Sequence, residues 1–474
     1  MTNSQATIWK SVGIAALALP MVIFAVVRFD ASLDPKIMAF NAHFYAVGLT
    51  AFAAAIASAV VIASARTLRQ TRLLFLGLAF FAIAGIFAVH GLATPGFVVD
   101  EYYVSVAVSS WLSVAVGSAL VALSVVGLPD KVEHFFERNG QAVFLAAAAL
   151  IFGYIAVSLT AGEWLNWVPM RDLKLQWTLG FGSMALTTFA IWRYYQAYSF
   201  ARLPSQLAMA ATLVYLLEIQ AIILWGRVWH LSWWLYHGLY GVAFAVLFAG
   251  WALEVRRAGT LRAIADALSM RDALAQLGRG LESPIVELVD AVEAKDKETF
   301  GHVRRVSGHA LAVGRRLGMG PSELRSLVLA AQMHDVGKIS VPDSILGKPG
   351  PLTEEEFAVV KRHTLRGDEI AQQVPALAGL ADAIRHHHER LDGSGYPDGL
   401  AGDSIPLISR IIAVADTYDA ITSKRPYRDP RSHEEALAEI LRLRDVQFDA
   451  RCVDAFVAVF SEPGARNGAE EAAA

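Results

Sequence analysis

The sequence predicts an all-α protein in two parts, an N-terminal bundle of transmembrane helices and a C-terminal domain made of helices. The chain has 474 residues, of which 55% are hydrophobic and 18% charged, and this balance is outside the usual range of soluble proteins. Long runs without charge fill residues 1–253. Residues 284–461 instead form a series of helical segments with short turns and little of the period-two alternation typical of strands.

Eight segments of the N-terminal part meet or approach the length of a membrane span, since a bilayer core of ~30 Å needs about 20 helical residues. They are residues 11–27, 37–65, 73–99, 102–129, 139–162, 175–192, 203–226 and 228–253. The first is not expected to be a cleaved signal peptide, because it lacks a small-residue cleavage pattern and further spans follow it. We therefore predict a bundle of eight transmembrane helices.

The Lys and Arg residues between these segments predict the orientation, because cytoplasmic loops carry the excess of positive charge. With the N-terminus inside, the inside segments carry eleven: Lys10, Arg66, Arg69, Arg72, Lys131, Arg138, Arg193, Arg202, Arg256, Arg257 and Arg262. The outside loops carry five: Arg28, Lys36, Arg171, Lys174 and Arg227. We expect both termini and the C-terminal domain in the cytoplasm, an arrangement that an odd number of spans would break.

Polar residues inside spans are costly and often functional. In the predicted topology, four histidines lie towards the outer leaflet: His43, His90, His230 and His237. The group suggests a sensor for a ligand or a metal. The alternative is that each imidazole bonds a neighbouring helix or lies among the interfacial tryptophans Trp225, Trp229, Trp233 and Trp234. Glu218, in the seventh span, must be paired, protonated or exposed to water, and it could serve sensing or proton transfer.

Residues 254–283 are predicted to connect the two parts as a signalling helix. Apolar side chains recur there and just beyond, mostly three, four or seven positions apart, at Leu261, Ile264, Leu268, Leu274, Leu277, Leu281, Ile285 and Leu288. We expect a helix continuous with the last span that forms a short coiled coil and makes the protein a homodimer. The alternative is that the apolar stripe packs against the C-terminal domain of its own chain.

The remaining composition excludes some classes of protein. A formal net charge of −3 does not indicate a DNA-binding polycation, so a nucleotide substrate would be attracted only locally. Cys452 is the single cysteine, which excludes an internal disulfide and a thiolate-rich metal site and suits a reducing cytoplasm. We expect Cys452 to be a small core residue. Residues 462–474 are expected to be a disordered tail.

Residues 284–461 contain eight of the thirteen histidines, most of them beside carboxylates. Glu298 and His302 are four positions apart, which places them on one face of a helix. Together with further single and paired residues they give a candidate ligand set of five imidazoles and three carboxylates: Glu298, His302, His334, Asp335, His363, His387, His388 and Asp416. Such a set exceeds what one ion needs and predicts two or three divalent ions, iron or manganese.

Lys338 would offset negative charge that develops in a transition state on such ions. Plainer interpretations also exist, since a lone His-Asp pair is common on surfaces and in hydrogen-bonded cores. His386 would be an ordinary exposed neighbour of the pair that follows it, and His309 and His433 match no motif and are expected to be structural or solvated.

Taken in order, Glu-x3-His at Glu298, His-Asp-x-Gly-Lys at His334, Lys-x-His at Lys361 and His-His-Glu-x2-Asp-Gly-x-Gly-Tyr-Pro at His387 resemble the HD-GYP family of cyclic-dinucleotide phosphodiesterases. The resemblance covers residues 284–461. It implies an all-helical HD-domain fold, metal binding by the eight residues of the candidate set, and hydrolysis of cyclic di-GMP to linear pGpG or to GMP. His334, Asp335 and Lys338 would be the catalytic residues. Family members with Glu at the position of Glu298 hold three metals.

The resemblance also implies substrate-binding residues. The loop that names the family contains two glycines, which allow a sharp turn that presents Tyr396 towards a guanine or a phosphate; its candidate residues are Gly393, Gly395, Tyr396 and Pro397. Further contacts are expected from Arg425, Tyr427 and Arg428, because guanidinium groups bind phosphates and stack on bases.

The leading hypothesis is a sensor enzyme of the bacterial inner membrane, in contact with lipid, that hydrolyses cyclic di-GMP in the cytoplasm. The main alternative is a catalytically silent scaffold that binds cyclic di-GMP or recruits diguanylate cyclases. A third possibility keeps the hydrolysis but changes the substrate to a mixed cyclic GMP-AMP or another phosphodiester. No DNA partner is expected.

Overall fold

The computed structural model describes residues 3–68, 70–95, 98, 99, 103–170, 172–269, 277, 283–295, 301–348, 350–423 and 429–461. Helices dominate throughout, and the described residues contain isolated β-bridges but no strand, so the predicted all-α class is confirmed. The chain divides into two compact units, Met1–Tyr198 with Arg202–Arg271, and Ser199–Ala201 with Asp272–Ala474. We call them the membrane unit and the C-terminal unit.

Each predicted span of the membrane unit falls on a helix. The helices are α1 (Asn3–Phe29), α2 (Phe40–Leu68), α3 (Thr71–Leu92), α4 (Ser105–Val125), α5 (Asp130–Thr160), α6 (Leu173–Ala201), α7 (Pro204–Trp225) and α8 (Leu231–Ala258). Seven of them are long and apolar enough to cross a membrane. The exception is α6, whose 29 residues include many Thr, Ser, Gln and Tyr side chains.

The centre of the membrane unit is α3, which is buried along most of its length, while α1 and α5 expose most of their apolar side chains. Leu73, Phe87, Leu213 and Tyr236 belong to the shared core. Glu218 is also buried, and its Oε2 atom has no hydrogen-bond partner among the described groups. Exposed apolar helices around a buried one are the pattern expected of a bundle in lipid.

The predicted continuous helix after the last span is wrong. Helix α8 ends at Ala258, and Gly259 follows in the left-handed conformation with φ of 74°. A short helix, α9 (Arg262–Ser269), begins after this break, and its Ile264 and Leu268 are buried in the core of the membrane unit. Glycine ends helices in this way because it adopts positive φ without strain. The rest of the proposed coiled coil lies mostly outside the described residues.

The C-terminal unit begins with α10 (Ser283–Lys295) and continues with α11 (His302–Arg316), α12 (Pro321–Met333), α13 (Asp343–Leu346), α14 (Glu354–Lys361), α15 (His363–Gln373), α16 (Ala381–Arg385), α17 (Leu407–Thr422), α18 (His433–Arg442) and α19 (Ala450–Phe460). Its own core is centred on α11, α12 and α17, with fully buried Val306, Leu327 and Ile411. Cys452 is buried there with a free thiol, as predicted.

Candidate metal centre

The His-Asp pair lies where one helix gives way to another. Helix α12 ends at Met333, and a 3-10 helix begins at Val336, so His334 and Asp335 occupy the turn between them. Gly337 packs directly on the first residue of α15, since a Cβ atom at Gly337 would lie 1.9 Å from the carbonyl oxygen of His363. The absence of a side chain at Gly337 therefore allows this turn to approach His363.

Three histidines of the site are oriented by the same kind of hydrogen bond, to the backbone carbonyl three residues earlier in the chain. Nδ1 of His334 bonds the carbonyl of Ala331, Nδ1 of His363 that of Val360, and Nδ1 of His387 that of Ile384, each at 2.7 Å. A carbonyl only accepts, so each Nδ1 carries the proton and each Nε2 of a neutral ring presents a lone pair. The hydrogen-bond partner of one ring nitrogen fixes which nitrogen is available to a metal.

The predicted ligands come together as two neighbouring groups. In one group, ligand atoms of His302, His334 and Asp335 lie within 4.8 Å of one another, and in the other so do those of His363, His387 and His388. Asp335 joins the groups, since its Oδ2 is 3.4 Å from Nε2 of His334 and its Oδ1 is 3.5 Å from Nε2 of His363. One carboxylate thus offers an oxygen to each side.

Asp416 extends the first group, with Oδ1 3.4 Å from Nε2 of His302. The other nitrogen of His302, Nδ1, bonds Oδ2 of Asp419 at 2.7 Å. Arg305 holds the same carboxylate through Nε, 2.5 Å from Oδ1. Sequence reasoning missed both Asp419 and Arg305. A carboxylate behind a histidine is the usual partner of a metal-binding imidazole.

The charges of the site suit cation binding. Burial lowers the pKa of His387 and of His388 well below its usual value, and the neighbouring imidazoles lower it further. Burial also disfavours the anion of Asp335, yet Lys338 and His334 outweigh it and hold the pKa of that carboxyl well below its ordinary range. Neutral imidazoles and an ionised carboxylate are the forms that bind metals.

The pKa of His334 is shifted in the opposite direction, because the charge of Asp335 stabilises the protonated ring. Its burial opposes the charged ring, but Asp335 raises the pKa of His334 to about 9. Its Nε2 atom is buried and makes no hydrogen bond to any described group. A buried atom left in this way is costly, and a cation between the two groups would replace the proton. The residues present therefore fit the binding of divalent metal ions.

Lys338 lies beside these ligands, with Nζ 2.8 Å from Oδ2 of Asp335. Two sets of predicted residues fall outside the described part of the chain, namely Glu298, and Arg425 with Tyr427 and Arg428. Their expected roles in metal and substrate binding stay predictions.

The predicted substrate loop, residues 393–397, follows the histidine pair and is held in place by Glu389, the residue after that pair. Gly393 has φ of +78°, and a Cβ atom at Gly395 would lie 2.4 Å from the backbone nitrogen of Arg390, so both positions require glycine. Oε1 of buried Glu389 accepts the backbone N–H groups of Asp398 at 2.7 Å and Gly399 at 3.0 Å. Glu389 therefore holds the loop that carries Tyr396 and Pro397.

Tyr396 lies over the second histidine group. Its ring centroid is 4.9 Å from that of His388, and Nζ of Lys361 is 5.3 Å from the same ring. Burial, with a contribution from Asp335, raises the pKa of the Tyr396 phenol. The hydroxyl stays protonated and can donate a hydrogen bond at the edge of the metal centre.

The interpretation of His386 as an exposed neighbour is wrong. His386 is buried, and its Nε2 bonds Oδ2 of Asp398 at 2.8 Å, a carboxylate that Arg385 also holds. His386, Glu389 and Asp398 form a third cluster of potential ligands. Hydrogen bonds within the protein already use Nε2 of His386, Oδ2 of Asp398 and Oε1 of Glu389. His309 packs among Tyr418, Phe456 and Phe460, and His433 bonds the Tyr418 hydroxyl. His309 and His433 are therefore structural.

Comparison with known proteins agrees with this geometry. Residues 288–452 match the HD domain family. A cyclic di-GMP phosphodiesterase response regulator of Xanthomonas campestris is 47% identical over 173 residues, 36% of this chain and 46% of that protein. A cyclic di-GMP phosphodiesterase of Pseudomonas aeruginosa is 38% identical over 228 residues, 43% of this chain and 54% of that protein.

A 3'3'-cGAMP-specific phosphodiesterase of Vibrio cholerae is 40% identical over 172 residues, 36% of this chain and 33% of that protein. The matches thus cover between a third and about half of the length of these relatives. The family match includes the described residues of the candidate metal centre from His302 to Asp416. Residues 288–452 of this chain belong to the HD domain family.

Proposed function

We propose that the C-terminal unit hydrolyses cyclic di-GMP to linear pGpG or to GMP. The observation that carries this proposal is the position of Asp335 between two groups of histidines, with one oxygen towards each. Two ions held at that spacing would activate water and stabilise the charge on a phosphodiester during cleavage. Relatives named as cyclic di-GMP phosphodiesterases support the choice of substrate.

The chain's own residues would bind and orient the substrate. Tyr396 donates its phenolic hydrogen to a phosphate oxygen or packs its ring on a guanine. Lys338 keeps Asp335 ionised and offsets charge that builds up in the transition state. Arg425, Tyr427 and Arg428 add contacts to the phosphates and bases.

We infer that the ions are iron or manganese. Among the described residues of the site, the donors are imidazole nitrogens and carboxylate oxygens without sulfur, a set that suits these metals. Glu298 would add a third ion, although the helix that carries His302 begins at that residue, after Gly301 with φ of 76°, so the shared helix face expected from the sequence is wrong. Metal analysis of the full chain, purified without oxygen, tests identity and number together, and Glu298→Gln is expected to lose one ion while keeping part of the activity.

The decisive variant is Asp335→Ala in the full chain, purified in detergent and assayed with iron or manganese. We expect no release of pGpG or GMP and less bound metal. Asp403→Asn is the matched control, because Asp403 is 90% exposed and forms surface ion pairs with Arg410 and Arg451, which contribute little. Full activity of Asp335→Ala would refute the assignment of the metal centre.

The same assay separates two other functions. A scaffold that only binds cyclic di-GMP or recruits diguanylate cyclases would be folded and metal-loaded but release no product. A relative named as 3'3'-cGAMP-specific matches this chain with 40% identity, so mixed cyclic GMP-AMP is the second candidate substrate. Direct competition between the two cyclic dinucleotides would decide it, and faster cleavage of the mixed one would overturn our choice.

We further propose that the protein spans the bacterial inner membrane eight times and places the C-terminal unit in the cytoplasm. Helix α6 supports the even count, because it exposes Trp177, Phe181, Leu186 and Trp192 along its length, as a helix facing lipid does. Reporter fusions after Arg202 and after Arg227 test it. The first is expected inside and the second outside. The reverse result would remove α6 as a span, and the same side for both would remove α7.

We also propose a homodimer. The apolar stripe of the sequence places the contact within residues 254–283, where Ile264 and Leu268 pack in the core of their own chain. Cross-linking of the full chain in membranes tests it. A monomer at all protein concentrations would contradict it.

A further inference from the structure

Three histidines from three different helices meet in the membrane unit. They are His43 on α2, His90 on α3 and His237 on α8, all buried. One ring nitrogen of each lies within 4.8 Å of the other two. His230, which the sequence grouped with them, bonds the carbonyl of Val228 and lies outside this cluster.

Hydrogen bonds fix the proton on the far nitrogen of two of these rings. Nδ1 of His90 donates to the carbonyl of Val106 at 2.8 Å. The hydroxyl of Thr94 donates to the carbonyl of His90 at 2.8 Å, so its oxygen can only accept from Nδ1 of His43, 3.1 Å away. A neutral imidazole carries one proton. Both rings therefore present a bare Nε2.

These two Nε2 atoms face each other at 3.0 Å. Two lone pairs at that distance repel unless a cation lies between or beside them. The hydroxyl of Tyr236 donates to Nε2 of His90 at 2.9 Å, a bond that an ion at this nitrogen would replace, which would leave the phenol oxygen beside the ion. Partners that hold the far nitrogen and aim the near one are the usual surroundings of a metal-binding histidine.

His237 supplies the third donor. It is 4% exposed, and neither of its ring nitrogens makes a hydrogen bond to any described group. The carbonyls of Trp233 and Trp234 adjoin the ring but do not complete a bond. A buried polar group without a partner costs about 1–3 kcal/mol, which binding to a cation would remove.

We propose that His43, His90 and His237 bind a transition-metal ion, copper or zinc, inside the membrane unit. The donors are three neutral imidazole nitrogens, with the Tyr236 hydroxyl beside them and no carboxylate in the cluster. Hard ions such as magnesium and calcium require oxygen ligands, whereas imidazole suits copper and zinc. A monovalent copper ion would cost least to bury, since the ligands bring no negative charge.

An ion in this cluster would link helices that come from different parts of the membrane unit. The segments on either side of it are joined, since the backbone N–H of Ile37 bonds the carbonyl of Trp229 at 2.6 Å, and Asp34 accepts bonds from Ser232. An ion bound by all three histidines would tie α8 to α2 and α3. Helix α8 is the last span before the C-terminal unit.

The test uses the full chain in detergent, stripped of metal with a chelator and then loaded with zinc, or with monovalent copper under a reductant. Because the C-terminal unit also holds metals, the measured quantity is the difference in bound ion per chain between the parent and His237→Leu. We expect a loss of one equivalent. His230→Leu, which changes a neighbouring histidine outside the cluster, is expected to lose none.

Leucine removes an unpaired buried polar group, so His237→Leu is expected to fold. His43→Gln and His90→Gln make the same prediction independently, and any one that folds decides the question. Loss of one equivalent of either metal supports the proposal, and the metal that binds more tightly identifies the ion. Equal metal content in the parent and a folded cluster variant, with both metals, would overturn it, as would equal loss in His230→Leu.

Discussion

Nδ1 of His302 donates a 2.7 Å hydrogen bond to Oδ2 of Asp419, and this bond turns Nε2 of the same ring towards Asp416. Burial opposes the charge on Asp419, but the bonds from His302 and Arg305 hold the pKa of its carboxyl below the usual range. The carboxylate therefore stays ionised and keeps the proton of His302 on Nδ1. Asp419 therefore contacts the candidate metal centre indirectly, through the ring of His302.

Asp419→Asn tests this arrangement. An amide can turn its NH2 towards His302 and favour the wrong tautomer, so we expect metal affinity to fall by roughly 10–100-fold, as is typical when such a partner is lost. Titration against a competing chelator measures it, with Asp403→Asn as the control. Unchanged affinity in Asp419→Asn would show that His302 is oriented by other contacts.

Gly337→Ala tests the close approach of the His-Asp turn to α15. The added methyl would lie 1.9 Å from the carbonyl oxygen of His363 and 2.7 Å from the nitrogen of Gly367, and backbone cannot yield cheaply there. We expect a loss of about 1–3 kcal/mol of stability together with lower metal occupancy. Gly379→Ala, at a glycine with open space around it, is the control. Normal metal content and melting temperature in Gly337→Ala would contradict the packing described.

His309 predicts a pH dependence. Burial lowers its pKa to about 4 from 6.5, so the folded unit holds the neutral ring while the unfolded chain takes up a proton below about pH 6.5. Stability is therefore full above that pH and falls as the pH drops towards about 4, by about 3 kcal/mol in all.

Hydrogen exchange of α17 peptides in the full chain, measured across this range, follows the loss locally. His387 and His388, whose pKa values are also lowered, contribute their own acid dependence, so His309→Leu is expected to remove only the part of about 3 kcal/mol that belongs to His309. His134→Gln, which changes an exposed histidine on α5, is expected to keep the full dependence. The same acid dependence in His309→Leu would assign it to another group.

The side chains that gather in the candidate metal centre could be predicted from sequence because they occur in short motifs, such as His334 beside Asp335. Asp419 could not, because it is 117 positions from His302 and only the packing of α17 on α11 brings them together. The break at Gly259 was missed for a different reason. The spacing of apolar residues predicts a helix, but the left-handed conformation of one glycine depends on how α9 packs against the bundle.

Glu389 is expected to control substrate binding without holding metal. Its Oε1 accepts the N–H groups of Asp398 and Gly399, so Glu389→Ala leaves two backbone donors without this acceptor, at about 1–3 kcal/mol each when buried. The loop that carries Tyr396 should loosen, which raises KM several-fold while bound metal stays constant. Glu389→Gln retains an oxygen at the same place and should restore most of the affinity. Loss of metal at unchanged KM would mean that Glu389 acts on His388 and not on the loop.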